Sequence, residues 1–323
     1  MNGRFLSLFP LTLILTATLS LVSCVDNHEK PEPEKPADQA KENAPATPAP
    51  PTTTIWSEVT LHRAIREKNS GYTGNGQFQI TPEGAPEMVA LGNCGVSDIS
   101  MLAGMPLRML DLMECPVSDI GVLKGMPLAE LYLEGSGVED LSPLTGNTTL
   151  QKLYLTSTNV KDLGPLKGLP IEELNLIGCR ADDLTPLAGM PVRMLWLSGL
   201  PVTDISPLVT TPLISLTLHQ TRVENLQPLA TLRTLQRLHI GETPVKDLTP
   251  IASLPLTRLV FTPSTVEKGA DLIRQIPTMQ QLGVEFEDDM NTLMPPAIFW
   301  ERYDKGEFNG KASPSAEPAP SPK

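Results

Sequence analysis

The sequence predicts a solenoid of stacked parallel β-strands, each followed by a short return turn. A unit of 21 to 22 residues recurs between Pro86 and Val284, and such a period is typical of repeat architectures. Within each unit, the pattern L-x-x-L-x-L has the two-residue period of a strand with one buried face. No unit can bury its apolar face alone, so neighbouring units must stack to build a continuous core. One leucine marks each clear unit: Leu110, Leu131, Leu153, Leu174, Leu195, Leu216, Leu238 and Leu259.

The second half of each unit predicts a tight return on the convex side. It buries one small apolar residue, usually Val, and then reads Asp-Leu/Ile-x-Pro-Leu. An Asp carboxylate suits the N-cap of a short helix, and Pro is tolerated in the first turn because its missing N–H needs no partner there. We therefore expect short 3₁₀ turns capped by the aspartates, with a calcium-binding ladder as the alternative use of the carboxylates. The aspartates are Asp98, Asp119, Asp140, Asp162, Asp183, Asp204 and Asp247, with Asn225 interrupting the series.

These units resemble the repeats of bacterial leucine-rich-repeat proteins, in particular the short internalin-like kind with Asp-Ile/Leu-Ser-Pro-Leu returns. The resemblance covers about 200 of the 323 residues. It implies a horseshoe-shaped or arc-shaped leucine-rich-repeat solenoid with strands on the concave face, 3₁₀ turns on the convex face and helical caps. It does not identify the ligand, because repeat scaffolds change ligand by changing surface residues.

The flanks 64–80 and 299–308 resemble caps of repeat domains that some relatives attach to serine/threonine kinase domains. This chain has no Gly-rich loop, H-R-D or D-F-G element, so a kinase could only be a partner in trans.

Composition and caps divide the rest of the chain. We predict an N-terminal cap at 55–85 with a helix at 55–69, and about ten repeats at 86–287. A C-terminal cap at 288–308 should contain a helix at 295–304, because terminal repeats need their open faces covered. The insertion at 266–276 has the pattern of a further helix. The segments 24–54 and 309–323 are rich in Pro with little to bury, so we predict a disordered tether and a disordered tail.

The N-terminus predicts export and lipid attachment. Residues 1–23 combine Arg4 with an apolar stretch, and the end of this segment with Cys24 resembles the lipobox of bacterial lipoproteins. The resemblance implies cleavage before Cys24 and acylation of that Cys, which would anchor the chain in a membrane of the cell envelope. Val25 follows instead of the Asp that retains lipoproteins at the inner membrane, which favours the outer membrane. An ordinary secretory peptide and an uncleaved anchor are the alternatives.

Charge excludes two partner classes. The formal net charge is -12, and nucleic acid or an anionic membrane surface requires a basic face.

Three cysteines occupy one position of their units. Cys94, Cys115 and Cys179 fall where other units have a small Ser or Thr facing the interior. Buried small side chains are the main interpretation, with a disulfide between Cys94 and Cys115 on adjacent rungs as an alternative. A catalytic thiol is a third possibility, but no His falls near Cys94 or Cys115 as its base. We expect neither catalysis nor a cofactor.

An aromatic row predicts a binding surface on the concave face. Tyr132, Tyr154 and Trp196 share the fifth position of their units, at the centre of the exposed strand face, and Met109 and Met194 project from the same face. Exposed apolar side chains in a row are typical of binding sites. The alternative is that Tyr and Trp are simply favourable strand residues.

Charged side chains complete the candidate surface. Acidic residues flank the row on the early units, whereas Arg237, His239 and Arg258 lie on the late ones, so a dipolar partner or an antiparallel second copy would fit. His219 and His239 adjoin on neighbouring strands, but a metal site would need a third ligand, for which Glu242 is the acidic candidate, and we expect no metal there. The sequence thus predicts an envelope lipoprotein that binds a protein. A glycan-binding module, a structural envelope protein and an in-trans partner of a kinase pathway are the alternatives.

Overall fold

The computed structural model describes residues 55–284 and 292–308. The predicted signal peptide (1–23), the lipidated Cys24, the tether (24–54), the tail (309–323) and residues 288–291 of the predicted C-terminal cap lie outside the described residues.

Within this part of the chain, eleven strands form one open sheet in chain order. The strands are β1 (Gln77–Ile80), β2 (Pro86–Ala90), β3 (Met109–Asp111), β4 (Glu130–Tyr132), β5 (Lys152–Tyr154), β6 (Glu173–Asn175), β7 (Met194–Trp196), β8 (Ser215–Thr217), β9 (Arg237–Ile240), β10 (Arg258–Phe261) and β11 (Gln281–Gly283). Strands β2 to β11 run parallel to one another, which confirms the predicted leucine-rich-repeat solenoid. Strand β1 pairs antiparallel with β2 and has no counterpart among the predicted elements.

The core lies directly behind the strands. The leucine at the centre of each repeat strand pairs with its equivalent on the next strand, as Leu153 does with Leu174, and both are fully buried. The small apolar residue of each return, such as Val160 or Ala181, is buried as well. A buried leucine contributes about 1.5–3 kcal/mol relative to an exposed one. These in-register rows therefore supply the continuous core that the repeat requires.

The returns are 3₁₀ turns held by the aspartates. In one unit the Asp140 carboxylate accepts a hydrogen bond from the Ser142 N–H at 2.7 Å, and the equivalent contact recurs in the other clear units. The predicted capping differs in detail: Leu141 occupies the N-cap position, and Asp140 lies one residue earlier, forming an Asx turn. The carboxylates are thus engaged by backbone donors. The turns are Ser100–Leu102, Gly121–Leu123, Ser142–Leu144, Gly164–Leu166, Thr185–Leu187, Ser206–Thr210, Gln227–Leu229 and Thr249–Ile251.

Helices cover both ends of the solenoid. Helix α1 (Glu58–Lys68) begins with a capping box at Ser57 and buries Leu61 and Ile65. Helix α3 (Pro296–Asp304) buries Phe299 and Trp300, so apolar faces close the open ends of the core.

The helix predicted at 266–276 is wrong in extent. Helix α2 spans only Ala270–Ile273. The residues before it continue the solenoid instead, since Lys268 forms a parallel β-bridge with Asp247 of the preceding unit.

A membrane-spanning helix would need a long apolar stretch, and no helix within residues 55–284 and 292–308 has one.

The thiols of Cys94, Cys115 and Cys179 are free and buried, so the Cys94–Cys115 disulfide alternative is contradicted. The Cys115 Sγ donates to the Leu91 carbonyl at 3.0 Å. Threonines at the same unit position act similarly, as Thr221 does toward the Leu218 carbonyl at 2.7 Å. Burial raises the pKa of the Cys94 thiol, which disfavours the thiolate that a nucleophile requires.

A candidate binding surface on the strand face

The outward side of β2 to β11, called here the strand face, carries two aligned rows of side chains. They flank the buried central leucine of each strand, because successive side chains of a strand point to opposite sides. The first row is Met88, Met109, Glu130, Lys152, Glu173, Met194, Ser215, Arg237, Arg258 and Gln281. The second row is Ala90, Asp111, Tyr132, Tyr154, Asn175, Trp196, Thr217, His239, Val260 and Gly283.

The three predicted aromatic residues form one contiguous cluster, called here the aromatic ladder. The rings of Tyr132 and Tyr154 are 5.1 Å apart between centroids, with a 30° tilt. Tyr154 also reaches Trp196 at 6.1 Å, although Asn175 lies on the strand between them. All three side chains are partly buried, less exposed than predicted, because each ring covers part of the next.

Both tyrosine hydroxyls of the ladder are anchored by carboxylates of the first row. The Tyr132 hydroxyl donates to Glu130 Oε2 at 2.7 Å, and the Tyr154 hydroxyl donates to Glu173 Oε2 at 2.8 Å. Lys152 Nζ lies 3.2 Å from Glu130 Oε1. Burial, and then the hydrogen bond to the carboxylate, raises the pKa of each tyrosine. The Glu130 and Glu173 carboxylates therefore both have hydrogen-bond partners within the protein, and Glu130 has an ion-pair partner as well.

Acidic side chains lie at the early end of the strand face. Burial raises the pKa of both Asp111 and Glu134, and the Asp111 carboxylate accepts a hydrogen bond from the Met113 N–H at 2.9 Å. Met109 precedes Asp111 on β3, so it lies at this acidic end.

Two stacked histidines lie at the late end. Their rings are 4.8 Å apart between centroids, and His219 Nδ1 lies 3.1 Å from the Gly241 carbonyl oxygen. His239 was predicted to be exposed, but it is 91% buried, with a relative exposure of 9%. A Cβ at Gly241 would lie only 2.9 Å from His239 Nε2, so the glycine leaves room for the ring to lie flat beneath His219. Burial, and then the neighbouring His219, lowers the pKa of His239 to about 3.

A groove with a volume of about 460 Å³ connects the ladder to the late rungs. Trp196 and Met194 line one end, Arg237 and Arg258 line the other, and both histidines contribute. The structure thus brings together seven of the eight predicted binding residues in two groups, the ladder and the groove, which share Trp196. Met109 is not part of either group. The other residues that line the groove are Asn175, Ile177, Ser198, Ser215, Leu216, Thr217, Leu238 and Val260.

The sequence pattern indicated Glu130 and Arg258 only as charges beside the aromatic row, and it did not single out Glu173. Glu130 and Glu173 anchor the tyrosines, and Arg258 lines the groove beside Arg237. All three occupy the first row, so the unit position that selected Arg237 would also have selected them.

A metal ion bound by His219 and His239 would need Glu242 as its third ligand. The Glu242 carboxylate accepts a hydrogen bond from Gln220 Nε2 at 3.0 Å. In residues 55–284 and 292–308, no three His, Cys, Asp or Glu side chains are grouped so that they could hold a metal ion.

Known structures share this architecture. An internalin from Listeria monocytogenes is 23% identical, with a TM-score of 0.58 over 71% of this chain and 69% of the internalin. The leucine-rich-repeat ectodomain of the Arabidopsis thaliana membrane receptor kinase GASSHO1/SCHENGEN3, in complex with CASPARIAN STRIP INTEGRITY FACTOR 2, is 15% identical. Its TM-score is 0.53 over 64% of this chain and 30% of the ectodomain. No protein-family model and no curated protein matches the sequence. These likenesses show that the chain has the leucine-rich-repeat fold.

Proposed function

We propose that this chain is a non-catalytic binding protein that holds another protein against its strand face. The observation that carries the proposal is the aromatic ladder, a contiguous run of three rings that continues into an open groove. Aromatic side chains bury much area at little cost in conformational entropy, and they dominate protein interfaces. The plant receptor ectodomain, which was solved in complex with CASPARIAN STRIP INTEGRITY FACTOR 2, has the same fold.

The two ends of the ladder contribute differently to this function. The Tyr132 and Tyr154 hydroxyls are already bonded to carboxylates, so these rings are fixed before a partner arrives. Fixed rings lose little freedom on binding, which favours affinity. Trp196 lines the groove and offers its indole to the partner directly. We therefore expect Trp196 to contribute most of the binding energy.

The binding test compares the full chain with two triple variants. One variant replaces Tyr132, Tyr154 and Trp196 by Ala, and the control replaces Val209, Leu272 and Ile298 by Ala. The control residues are exposed apolar side chains outside the strand face, with exposures of 45%, 41% and 48%. We expect the parent and the control to capture the same protein by crosslinking in cell-envelope extract, and the ladder variant to lose it.

Both triple variants must have the same melting temperature as the parent chain. The captured protein, once purified, must bind the parent chain again. Equal capture by all three proteins would contradict the proposal and leave the ladder as strand packing alone.

A glycan is the second candidate partner. Its supporting observation is that Trp196 shares the groove with Asn175, Ser215 and Thr217, which pair an aromatic platform with hydrogen-bonding side chains. Binding of the full chain to a glycan array, lost on Trp196→Ala, would favour this candidate over a protein partner.

We further propose that Cys24 carries a lipid that holds the chain in the bacterial envelope, at the outer membrane. The lipobox-like end of residues 1–23 supports this, and Val25 supports the outer membrane. Cells producing the chain with radioactive palmitate should label the parent, and Cys24→Ser should abolish the label. Labelling of the Cys24→Ser chain would overturn the proposal, and membrane separation would assign the membrane.

A further inference from the structure

Two arginines lie side by side at the late end of the strand face. Arg237 and Arg258 pair directly across β9 and β10, and both are partly buried. Arg258 Nε donates to Gln281 Oε1 at 2.8 Å, which fixes its guanidinium. None of the ion pairs within the described ranges involves either arginine.

This arrangement is unfavourable for the isolated protein. Like charges directly opposite each other on neighbouring strands destabilise a sheet. Burial, and then the charge of Arg237, lowers the pKa of Arg258, so the second positive charge is held against both effects. An anion placed between the two guanidinium groups would remove the repulsion.

The groove supplies the space for such an anion. Both arginines line it, and the Ser215 and Thr217 hydroxyls lie on the next strand toward Trp196. A guanidinium presents its donors as a planar fork that matches the two oxygens of a carboxylate. The groove therefore offers a polar end for a carboxylate and an aromatic end for an apolar group.

We infer that the groove binds an acidic side chain of an extended segment of the partner protein, seated between Arg237 and Arg258, while apolar side chains of the same segment contact the aromatic ladder. This inference rests on the proposed function, and it adds the chemistry and spacing of the segment. The net charge of -12 opposes strongly polyanionic ligands and favours a segment with isolated carboxylates.

The strand spacing sets the distance between the acidic and apolar side chains. Trp196 is on β7, three strands from Arg258 on β10, which is about 14 Å at roughly 4.8 Å per strand. An extended segment advances about 3.3 Å per residue, so one apolar residue should lie about four residues from the acid. Tyr154 lies two strands further, which places a second apolar residue about seven residues from the acid.

The test selects random twelve-residue peptides, with blocked C-termini, on the immobilised full chain. Three variants are selected in parallel: R237Q/R258Q, the ladder variant, and R180Q/R222Q as the matched control. Arg180 and Arg222 are exposed, each directly follows the buried Cys or Thr after its strand, and their loss changes the net charge equally. We expect the parent and the control to enrich peptides with an Asp or Glu about four and seven residues from apolar residues. R237Q/R258Q should lose that acidic preference.

The affinity of one enriched peptide then measures the contact directly. Replacing its acid by the corresponding amide should weaken binding to the parent at least tenfold. The same replacement should have no further effect on R237Q/R258Q, because the partner charges are already absent. The peptide-side change requires no altered protein, so the test holds even if the arginine variant is unstable.

The remaining outcomes are distinguishable. If the parent enriches nothing, this inference fails, and the crosslinking test decides the proposed function separately. If peptides depend on the ladder but show no acidic preference, or keep that preference with R237Q/R258Q, only the inference fails. If inorganic phosphate binds and acidic peptides do not, a side-chain carboxylate is not the ligand and the inference is overturned.

Discussion

The two ends of the strand face handle charge in opposite ways. On β4 to β6, Glu130 accepts from Tyr132 and pairs with Lys152, while Glu173 accepts from Tyr154. On β9 and β10, two arginines lie opposite each other, and within the described residues neither has an acidic partner. The early end is thus stabilised by its own side chains, whereas the late end would gain stability from a ligand. The same repeat position therefore carries an ion pair in one rung and adjacent like charges in another.

Both ends of the strand face rest on equivalent parts of the leucine core. Leu153 under the early end and Leu238 under the late end occupy the same unit position, and their exposures are 0% and 1%. Replacing either by Ala should lower the free energy of unfolding by about 2–5 kcal/mol, because each leaves a cavity in a packed core. Urea denaturation measures both losses, and we expect them to agree within about 1 kcal/mol by that same scale. A much larger loss at one position would show that the core itself differs between the ends.

The core could be predicted from the sequence and the details of the face could not. Leucine recurs at fixed unit positions, and a two-residue strand period assigns each one to the interior. The burial of His239 depends instead on the missing side chain of Gly241 and on the ring of His219. The contact between Tyr154 and Trp196 crosses an intervening strand. Such contacts depend on side-chain size and orientation between rungs, which a repeat pattern does not specify.

The cap regions show a second limit of prediction. Helices α1 and α3 follow from apolar patterns within single segments, and the structure has both. Strand β1 forms through pairing with β2, and its sequence, QFQI, is too short to show a clear period. The insertion at 266–276 is mostly not helical, since Glu267 and Lys268 donate backbone hydrogen bonds to Lys246 of the preceding unit. Pairing with a neighbour overrides local helical preference at that point.

The two ends should respond to opposite extremes of pH. His239 has its pKa lowered to about 3 in the folded protein, so below pH 6.5 the unfolded chain binds a proton that the folded chain does not. The stability that His239 contributes is therefore fully present above pH 6.5. As the pH falls from 6.5 toward 3, the free energy of unfolding decreases by up to about 1.4 kcal/mol per pH unit. The raised pKa values of Tyr132 and Tyr154 give stability that is present below pH 10 and lost as the pH rises above it.

Urea denaturation across pH separates these contributions. His239→Gln should flatten the acid side of the stability profile without changing the alkaline side. The double variant Y132F/Y154F should do the reverse, so each variant is the control for the other. An acid slope that is unchanged by His239→Gln would assign the acid sensitivity to other groups.

Two single substitutions, one at each end of the strand face, should have small effects of opposite sign on the free energy of unfolding. Glu130→Gln removes the charge that holds Tyr132 and Lys152, and we expect it to lower the free energy of unfolding by about 0.5–1 kcal/mol, since the pair is partly exposed. Arg237→Gln relieves the repulsion with Arg258 and should raise stability by about 0.5 kcal/mol. Both effects should shrink in 1 M salt, because the electrostatic screening length is then only about 3 Å. A loss of stability on Arg237→Gln would mean that the arginine is already compensated within the protein, and the late end would then be as self-sufficient as the early one.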